Sequence, residues 1–311
     1  MTYFPTVLMK LSHKSGFITI IGRPNVGKST FLNRVIGQKI AIMSDKPQTT
    51  RNTILGVLTK PDCQIIFTDT PGVHKAHSEL GERMNEATYS ATQGQDAILF
   101  MVSAVEPIGT GDRLIINRLK EQKKPVYLLI NKVDLLKNKT DIQKIIVSYM
   151  NEMNFKEIFP ISAKEGINID PLIDNLKGIL QEGPQYYPDD MITDHPERFI
   201  IAELIREKLL YFTQEEVPHS IACVVDSMKP SPDEEYKLDV YATIYVERES
   251  QKRIVIGSNG ALLKKVKDLA RRDIKRLLGS RVNLDLWVKV KKDWTNRPDV
   301  LKSLGFEKDN F

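Results

Sequence analysis

The octet Gly22-Arg23-Pro24-Asn25-Val26-Gly27-Lys28-Ser29 constrains the fold of this chain more than any other feature. It fits the phosphate-loop pattern of a glycine, four residues and Gly-Lys-Ser. The apolar run at residues 17–21 reads as a buried strand, and residues 30–36 carry apolar side chains at helical spacing. Because N–H groups at such a helix N-terminus converge on an anion, the octet and Thr30 predict a polyphosphate site.

Two side chains of the octet have distinct expected roles. Lys28 is expected to reach the β- and γ-phosphates of a nucleotide. The Ser29 hydroxyl is expected to ligate Mg²⁺, a hard cation that prefers oxygen ligands.

Length and composition limit the class of protein. With 311 residues, of which 41% are hydrophobic and 27% charged, the chain suits a globular protein of two domains. It lacks both a long apolar stretch and a signal-peptide layout, which favours a cytoplasmic protein. Cys63 and Cys223 lie in separate apolar runs and are expected to be reduced thiols. Residues 1–15 read as an irregular lead-in, and residues 1–8 as a loose extension because Met9 would also serve as a start.

A second motif selects the base. The apolar run at residues 127–130 predicts a buried strand that delivers Asn131, Lys132 and Asp134 at its carboxyl end. A carboxylate there can accept from both guanine N1–H and the exocyclic amine, whereas adenine lacks these donors. Asp134 is therefore expected to select guanine as the base. Asn131 is expected to brace neighbouring loops, and the stem of Lys132 to lie along the purine face.

A further strand, residues 158–161, leads to the tripeptide Ser162-Ala163-Lys164. In this order along the chain, the Ala163 N–H is expected to contact guanine O6, and the tripeptide completes the base-binding edge.

The predicted γ-phosphate sensor follows the strand at residues 64–67. Asp69 is expected to hold Mg²⁺ through water, and Gly72, after Thr70 and Pro71, to offer its N–H to the γ-phosphate. One threonine of the pair at positions 49 and 50 should complete the metal shell. Spacing does not decide between them, and Thr50 is preferred.

In this order over about the first 180 residues, these segments resemble the translation-factor-related GTPases, and the form Gly-Arg-Pro-Asn-Val-Gly-Lys-Ser-Thr is typical of their Era branch. The resemblance implies a Ras-like α/β domain, a doubly wound and mostly parallel sheet, that alternates between GTP and GDP. Ras-like switches have a water-orienting glutamine where this chain has Val73, so the catalytic group is unassigned. His74 is an alternative candidate for this group, but a loop histidine is more often exposed to solvent, which argues against a catalytic role.

The same resemblance bears on a second cation. In relatives with asparagine at the position of Asn25, that residue can help hold K⁺ beside the phosphates, where the ion supplies charge stabilisation. We therefore expect slow intrinsic GTP hydrolysis with K⁺ stimulation.

The amino-acid composition of the chain changes near residue 182. Residues 183–197 are rich in proline and polar residues and are predicted to be a linker between a GTPase domain at 16–182 and a second domain at 198–303, with a tail at 304–311. Beyond the linker the sequence predicts one helix from about residue 199 and strands at 221–225 and 238–246, with an acidic hinge at 232–235 between them.

Positive charge is concentrated in the second domain. Residues 251–292 hold thirteen Lys or Arg against three acidic residues, a net charge of +10, whereas the whole chain has +5. This concentration is the electrostatic footprint of nucleic-acid binding, although a basic run can also be a solvated helix face. The loop Gly257-Ser258-Asn259-Gly260, which opens a basic helix, favours nucleic acid.

A Gly-x-x-Gly loop at the mouth of a basic helix is how KH domains clamp a short single-stranded segment. With a preceding strand, the long basic helix and a closing strand at 282–290, residues 198 to about 300 resemble an α+β type II KH domain. Those relatives usually carry a lysine inside the loop, and its absence here predicts weaker phosphate affinity. Trp287 and Trp294 are expected to pack in the core and at its rim rather than to stack on bases. The RNA-contacting residues implied are Lys252, Arg253, Gly257, Ser258, Asn259, Gly260, Lys264 and Lys265.

Together the two halves resemble the Era family across nearly the whole chain, and no second phosphate loop follows Ser29, as a double-GTPase relative would require. The resemblance implies a GTPase that binds the 3′ region of small-subunit (16S) ribosomal RNA, acts in 30S subunit assembly and associates loosely with the inner face of the membrane. A monomer is the default expectation. The segments after Gln48 and Gly72 are the expected coupling elements.

Two alternatives stay open at this point. One is a signalling GTPase whose basic C-terminal domain docks on an anionic membrane or a protein partner. The other is a nucleic-acid-binding protein in which GTP has only a structural role.

Overall fold

The structure is a computed structural model that describes residues 13–138, 140–232 and 237–306. The predicted extension at residues 1–8 and the alternative start at Met9 lie outside the described residues, as do most of the acidic hinge and residues 307–311 of the predicted tail. Within the described residues, no helix is long and apolar enough to cross a membrane.

The first domain alternates strands with helices around one sheet. Buried apolar runs form its central strands, and amphipathic segments form the helices that cover them. Its elements are β1 (Lys14–Ile21), α1 (Lys28–Ile36), β2 (Ile54–Lys60), β3 (Cys63–Asp69), α2 (Glu79–Ser90), β4 (Ala97–Ser103), α3 (Thr110–Leu119), β5 (Val126–Asn131), α4 (Asp141–Met150), β6 (Ile158–Pro160), α5 (Ile169–Ile179) and β7 (Gln181–Glu182).

The sheet runs in the order β2-β3-β1-β4-β5-β6, with β7 paired to β1. Strands β3, β1, β4, β5 and β6 are mutually parallel, and β2 and β7 are antiparallel to their neighbours. One apolar cluster packs α1 and α5 on one face, and a second packs α3 and α4 on the other. The predicted doubly wound, mostly parallel α/β domain is confirmed, and it brings the loops after β1, β3, β5 and β6 to one edge.

The second domain packs helices on one face of a three-stranded sheet of order β10-β9-β8, in which β9 pairs parallel with β10 and antiparallel with β8. Alternate residues of β9, from Val240 to Val246, are buried against the helices, as their alternation predicts. This arrangement confirms the type II KH fold. Its elements are α6 (Glu197–Phe212), α7 (Val217–Ser220), β8 (Ala222–Pro230), β9 (Lys237–Val246), α8 (Glu249–Ile256), α9 (Ala261–Leu278), β10 (Arg281–Val290) and α10 (Pro298–Ser303).

The structure differs from the sequence expectation at three places. Lys14 and Ser15 belong to β1 rather than to a lead-in, because they pair with both β3 and β7. Residues 249–256, directly before the Gly-x-x-Gly loop, form helix α8, for which the sequence pattern predicted neither a helix nor a strand. Trp287 is 63% exposed on the outer sheet face and is not a core residue, whereas Trp294 is buried. The linker at 183–197 stays a prediction; in the structure β7 ends at Glu182 and α6 begins at Glu197.

Candidate functional site

The phosphate loop joins β1 to α1. β1 ends at Ile21 and α1 begins at Lys28, so the N–H groups of the loop lie at the carboxyl end of a central strand. Gly27 caps the helix at a φ of 106°, and a Cβ atom there would lie 2.1 Å from Asn131 Nδ2. Glycine is therefore required at this position both by backbone conformation and by space.

Two buried side chains of opposite charge lie at this loop. Lys28 Nζ donates to the carbonyl oxygens of Gly22 (3.1 Å) and Arg23 (2.9 Å). Burial lowers the pKa of Lys28 to about 8, although the Asp69 carboxylate opposes the shift. Burial raises the pKa of Asp69 to about 6, against the influence of Lys28 and of a hydrogen bond from Ser29. An anion at Lys28 and a cation at Asp69 would stabilise the charged form of each side chain.

Three oxygen-bearing side chains meet at the start of α1. Ser29 Oγ donates to Asp69 Oδ2 at 2.7 Å and lies 2.9 Å from Thr50 Oγ1. Asp69 Oδ1 is buried without a hydrogen-bond partner among the residues that the structure describes. Thr49 instead donates its hydroxyl hydrogen to the carbonyl oxygen of Lys46 at 2.6 Å. The cluster of Ser29, Thr50 and Asp69 thus fits Mg²⁺, which prefers hydroxyl and carboxylate oxygens.

Asn131 connects the phosphate loop with the loop after β6. Its Nδ2 donates to the carbonyl oxygen of Val26 at 2.8 Å, and its Oδ1 accepts from the Ala163 N–H at 2.9 Å. The expected contact between Ala163 N–H and guanine O6 would therefore require that this hydrogen be shared. Asp134 is exposed in the short 3₁₀ helix Val133–Leu135, where its carboxylate is accessible to a base.

A cavity of about 510 Å³ runs between these groups and brings together the phosphate-binding, metal-binding and base-binding candidates from five loops. Thr49, the alternative to Thr50, also lines the cavity. Five further lining residues were not predicted from the sequence, because they belong to no motif: Ile42, Met43, Ser44, Gln48 and Leu135. Its predicted lining residues are Pro24, Asn25, Gly27, Lys28, Ser29, Thr30, Thr50, Gly72, Asn131, Lys132, Asp134 and Lys164.

The other predicted nucleotide-site residues lie behind this lining and support it. Arg23 is turned away to pair with Glu106 and Asp112, each at 2.9 Å. The Thr70 hydroxyl donates to the carbonyl oxygen of Ile20 at 2.7 Å, which fixes the start of the sensor loop. The remaining members of this group, all buried or half-buried, are Gly22, Val26, Asp69, Pro71, Ser162 and Ala163.

The candidate catalytic positions differ in their surroundings. Val73 is buried in the apolar cluster that contains α3, and its side chain has no polar atom. His74 is held by its ring nitrogens, with Nδ1 2.8 Å from the carbonyl oxygen of Gly72 and Nε2 2.8 Å from Gln48 Nε2. Asn25 Nδ2 donates to the carbonyl oxygen of Asp45 at 2.6 Å, at the rim of the cavity.

The Gly-x-x-Gly loop connects α8 to α9. Gly257 and Gly260 have φ values of 75° and 76°, and Asn259 is also left-handed at 50°. A Cβ atom at Gly257 would lie 2.7 Å from Leu262 Cβ, whereas one at Gly260 would meet nothing within 4 Å. The loop therefore packs against α9 on its Gly257 side and is open at Gly260, next to the N-terminus of an 18-residue helix.

Basic side chains surround this loop. Arg253, Lys264 and Lys265 are exposed and Lys252 is half-buried. Lys265 Nζ lies 4.4 Å from the ring centroid of Phe212, which holds the side chain on α6. All four lie within five residues of the loop along the chain, on α8 and α9.

Helix α6 of the second domain contacts the segment between α1 and β2 (residues 37–53, the α1–β2 segment). Glu207 accepts from Lys39 Nζ at 2.6 Å and from the Met43 N–H at 3.0 Å. Arg206 donates to the carbonyl oxygen of Thr49. Because the next residue contributes a hydroxyl to the oxygen cluster, the second domain is bonded to the edge of the candidate metal site.

Arg51, 3% exposed, connects the α1–β2 segment to α7. Its guanidinium donates to the carbonyl oxygens of Pro218 (3.0 Å), His219 (2.9 Å) and Ile221 (2.6 Å). Trp294 Nε1 donates to the carbonyl oxygen between them, that of Ser220, at 2.8 Å. Carbonyls that the end of a short helix leaves free are thus satisfied from the first domain and from the C-terminal segment.

Helix α2, which follows the sensor loop, also packs on the second domain. Leu80 and Met84 share a buried apolar cluster with Trp294, Val300 and Leu301. In addition, the guanidinium of α2 residue Arg83 donates to the carbonyl oxygen of Phe306 at 2.7 Å. Both segments expected to sense the γ-phosphate are therefore in contact with the second domain.

Comparison with known proteins agrees with this division. A family model described as "50S ribosome-binding GTPase" matches residues 17–132, and one described as "KH domain" matches residues 216–295. A crystal structure of Era in complex with MgGDPNP and nucleotides 1506–1542 of 16S ribosomal RNA is 40% identical, covers 94% of this chain and 99% of that chain, and has a TM-score of 0.92. An Aquifex aeolicus Era variant bound to GDP·AlF₄⁻ is also 40% identical, with the same coverage and a TM-score of 0.91.

Proposed function

This chain belongs to the Era family of GTPases, and from that membership we propose that it binds the 3′ region of 16S ribosomal RNA through its KH domain, under the control of GTP, during assembly of the small ribosomal subunit. The observation that carries the proposal is the similarity, over 94% of the chain, to an Era structure that holds both a GTP analogue with Mg²⁺ and that RNA.

The nucleotide site supports GTP as the ligand. Lys28 and the N–H groups of the phosphate loop would hold the β- and γ-phosphates, and Asp134 would accept from the guanine edge. Ser29 and Thr50 would ligate Mg²⁺ directly, with Asp69 behind them through water. Bound Mg²⁺ would neutralise charge on the β- and γ-phosphates.

Hydrolysis would be slow in the isolated protein. The side chain after Gly72 is the buried Val73, so this loop offers no side-chain amide to orient water at the position that a Ras-like glutamine uses. Asn25 lies at the rim of the cavity on the phosphate loop, where its side-chain oxygen would help to hold K⁺. We therefore propose stimulation by K⁺, which would stabilise charge developing on the phosphates.

The coupling between nucleotide and RNA would run through contacts of the second domain. The α1–β2 segment bonds to α6 and α7, and α2 packs against Trp294 and α10. Ordering of the first segment and of the sensor loop by the γ-phosphate would change these contacts, and with them the orientation of the KH surface.

A charge placed inside the Gly-x-x-Gly loop tests the RNA site. We expect Gly260→Asp to weaken binding to an oligonucleotide matching the 3′ region of 16S ribosomal RNA by at least about tenfold, because the carboxylate would face phosphate in an open position. Gly279→Asp is the matched control, since Gly279 has a φ of 64°, open surroundings and a place at the other end of α9. An equal loss of RNA affinity in both variants would indicate only a general effect of the added negative charge, and would contradict a specific role of the loop.

The alternative of a basic domain docked on anionic membrane uses the same positive surface. Vesicles of phosphatidylserine and phosphatidylcholine distinguish the two ligands. Binding to these vesicles that is as tight as RNA binding, and that Gly260→Asp leaves unchanged, would favour the membrane.

A further inference from the structure

A continuous chain of hydrogen bonds runs from the sensor loop to the second domain through three side chains. His74 Nδ1 lies 2.8 Å from the carbonyl oxygen of Gly72, and His74 Nε2 lies 2.8 Å from Gln48 Nε2. Gln48 Oε1 in turn lies 3.2 Å from Nδ1 of His219, a residue of α7. We refer to His74, Gln48 and His219 as the histidine–glutamine chain.

The chemistry of each atom fixes the direction of every bond. The Gly72 carbonyl can only accept, so His74 Nδ1 carries a hydrogen and, in the neutral ring, Nε2 is an acceptor. The Gln48 amide nitrogen then donates to His74, and its oxygen accepts from His219 Nδ1–H. Burial lowers the pKa of His219, and Arg51 and His74 add to this shift, which favours a neutral ring at that end. Rotation of the Gln48 amide by half a turn would break both of its bonds.

Gln48 also stands at the nucleotide cavity. It lines the cavity together with Gly72 and Thr50, and its backbone has a φ of 58°, a left-handed conformation that is uncommon for glutamine. A strained backbone of this kind persists only where surrounding contacts hold it, and the two histidines supply such contacts. His219 is itself held by α7, whose carbonyls are bonded to Arg51 and Trp294.

We propose that His219 of the KH domain is a positioning residue for GTP hydrolysis, which acts through Gln48 and His74 on the Gly72 peptide. The inference rests on the proposed function and adds an effect of the KH domain on the nucleotide site. His74 binds the carbonyl oxygen of Gly72 and therefore orients the peptide bond between Gly72 and Val73. This peptide bond directly follows the Gly72 N–H, which is expected to contact the γ-phosphate. A change in the orientation of the KH domain would then change the rate of hydrolysis, and not only the reverse.

The test compares full-length variants in steady-state GTP hydrolysis and in binding of fluorescent GDP. We expect His219→Ala to lower kcat by about five- to tenfold, the loss of one hydrogen bond, with KM and GDP affinity within about twofold of the wild type. His219→Asn should recover at least half of the lost kcat, because its amide nitrogen can replace Nδ1 as the donor to Gln48.

His195→Ala is the matched control. His195 Nε2 lies 2.8 Å from the carbonyl oxygen of Thr53, at the far end of the same segment, and its ring stacks on Phe199, but it has no bond to Gln48. This variant should hydrolyse GTP at the wild-type rate. The double variant of Gln48→Ala and His219→Ala should be no slower than the slower single variant, because both break the same chain.

Three results would overturn the inference: wild-type kcat in His219→Ala, multiplied effects in the double variant, or no recovery in a folded His219→Asn. Each leaves the proposed function standing as long as the wild type hydrolyses GTP and binds the RNA. Failure of the wild type in those two assays would overturn the proposed function, and the inference with it.

Discussion

Replacing Arg51 by alanine tests how strongly the second domain is bonded to the α1–β2 segment. The substitution removes a buried guanidinium that donates to three carbonyl oxygens at the end of α7, at 2.6 to 3.0 Å. Each buried carbonyl left without a donor costs about 1–3 kcal/mol. Water that enters the site can bond to some of these carbonyls, and removal of the Arg51 charge ends the cost of burying it. Because both effects offset part of the loss, we take the lower value for each carbonyl. The expected loss of interdomain contact energy is therefore about 3 kcal/mol, or roughly two orders of magnitude in a docking equilibrium.

Trp294 provides the assay. It is fully buried between α2 and the C-terminal segment, whereas Trp287 is already 63% exposed and would add emission that barely responds to undocking. In a Trp287→Phe background, the emission of Trp294 reports undocking of the domains directly. We expect Arg51→Ala to shift the Trp294 transition to lower urea concentration, with the α2 contact opening before the rest of the protein unfolds.

Arg113→Ala is the control for this experiment. Arg113 is about half exposed and pairs with Glu152 at 2.9 Å, a surface ion pair expected to contribute less than about 1 kcal/mol. If the Trp294 transition of Arg51→Ala lies within about 0.5 kcal/mol of that of Arg113→Ala, the bonds from Arg51 do not hold the domains together.

Three further predictions concern the nucleotide site. Lys28→Ala should abolish detectable binding of fluorescent GDP, because the phosphates lose their buried cation; retained micromolar affinity would contradict the assignment of the phosphate loop. Asp134→Asn should weaken GTP and favour xanthosine triphosphate, whose 2-oxo group accepts from an amide, and competition between the two nucleotides measures the change. Replacement of K⁺ by Na⁺ should slow hydrolysis in the wild type but not in Asn25→Ala; equal rates in both salts for the wild type would remove the K⁺ site.

Local sequence predicted the parts of the site that depend on local geometry. The phosphate loop, the sensor loop after β3 and the Asn131 motif each follow a buried strand, and the apolar runs made those strands recognisable. Their meeting at one edge follows from the parallel sheet, so the cavity lining was largely foreseeable. The Gly-x-x-Gly loop was found in the same way, from glycines at the start of an amphipathic helix.

Helix α8 shows where local propensity misleads. Its last residues, Ile254 to Ile256, are β-branched and have a low propensity for helix. The helix forms because Gln251 accepts the N–H groups of Glu247 and Arg248 at 2.9 and 3.0 Å and because Val255 is buried in the domain core. The polar sequence at residues 249–251 was a usable start signal, and tertiary packing outweighed the propensity of the residues that follow.

The interdomain contacts left no signal in the sequence. Arg51 lies in a polar stretch, and its partners in α7 are more than 160 residues away. The same holds for Gln48 and His219, whose meeting depends on how two separately folded units dock. Neither periodicity nor motif spacing carries that information, because the local sequence around each of these residues would look the same if the side chain were exposed to solvent.

The most direct test of a GTP-controlled RNA switch is the affinity of the full-length protein for an oligonucleotide matching the 3′ region of 16S ribosomal RNA, measured at one stated salt concentration with GDPNP, with GDP and without nucleotide. We predict binding at least about tenfold tighter with GDPNP than in the other two states, and selective against a scrambled sequence. Equal affinities in all three states, with the scrambled oligonucleotide bound as well, would contradict the account.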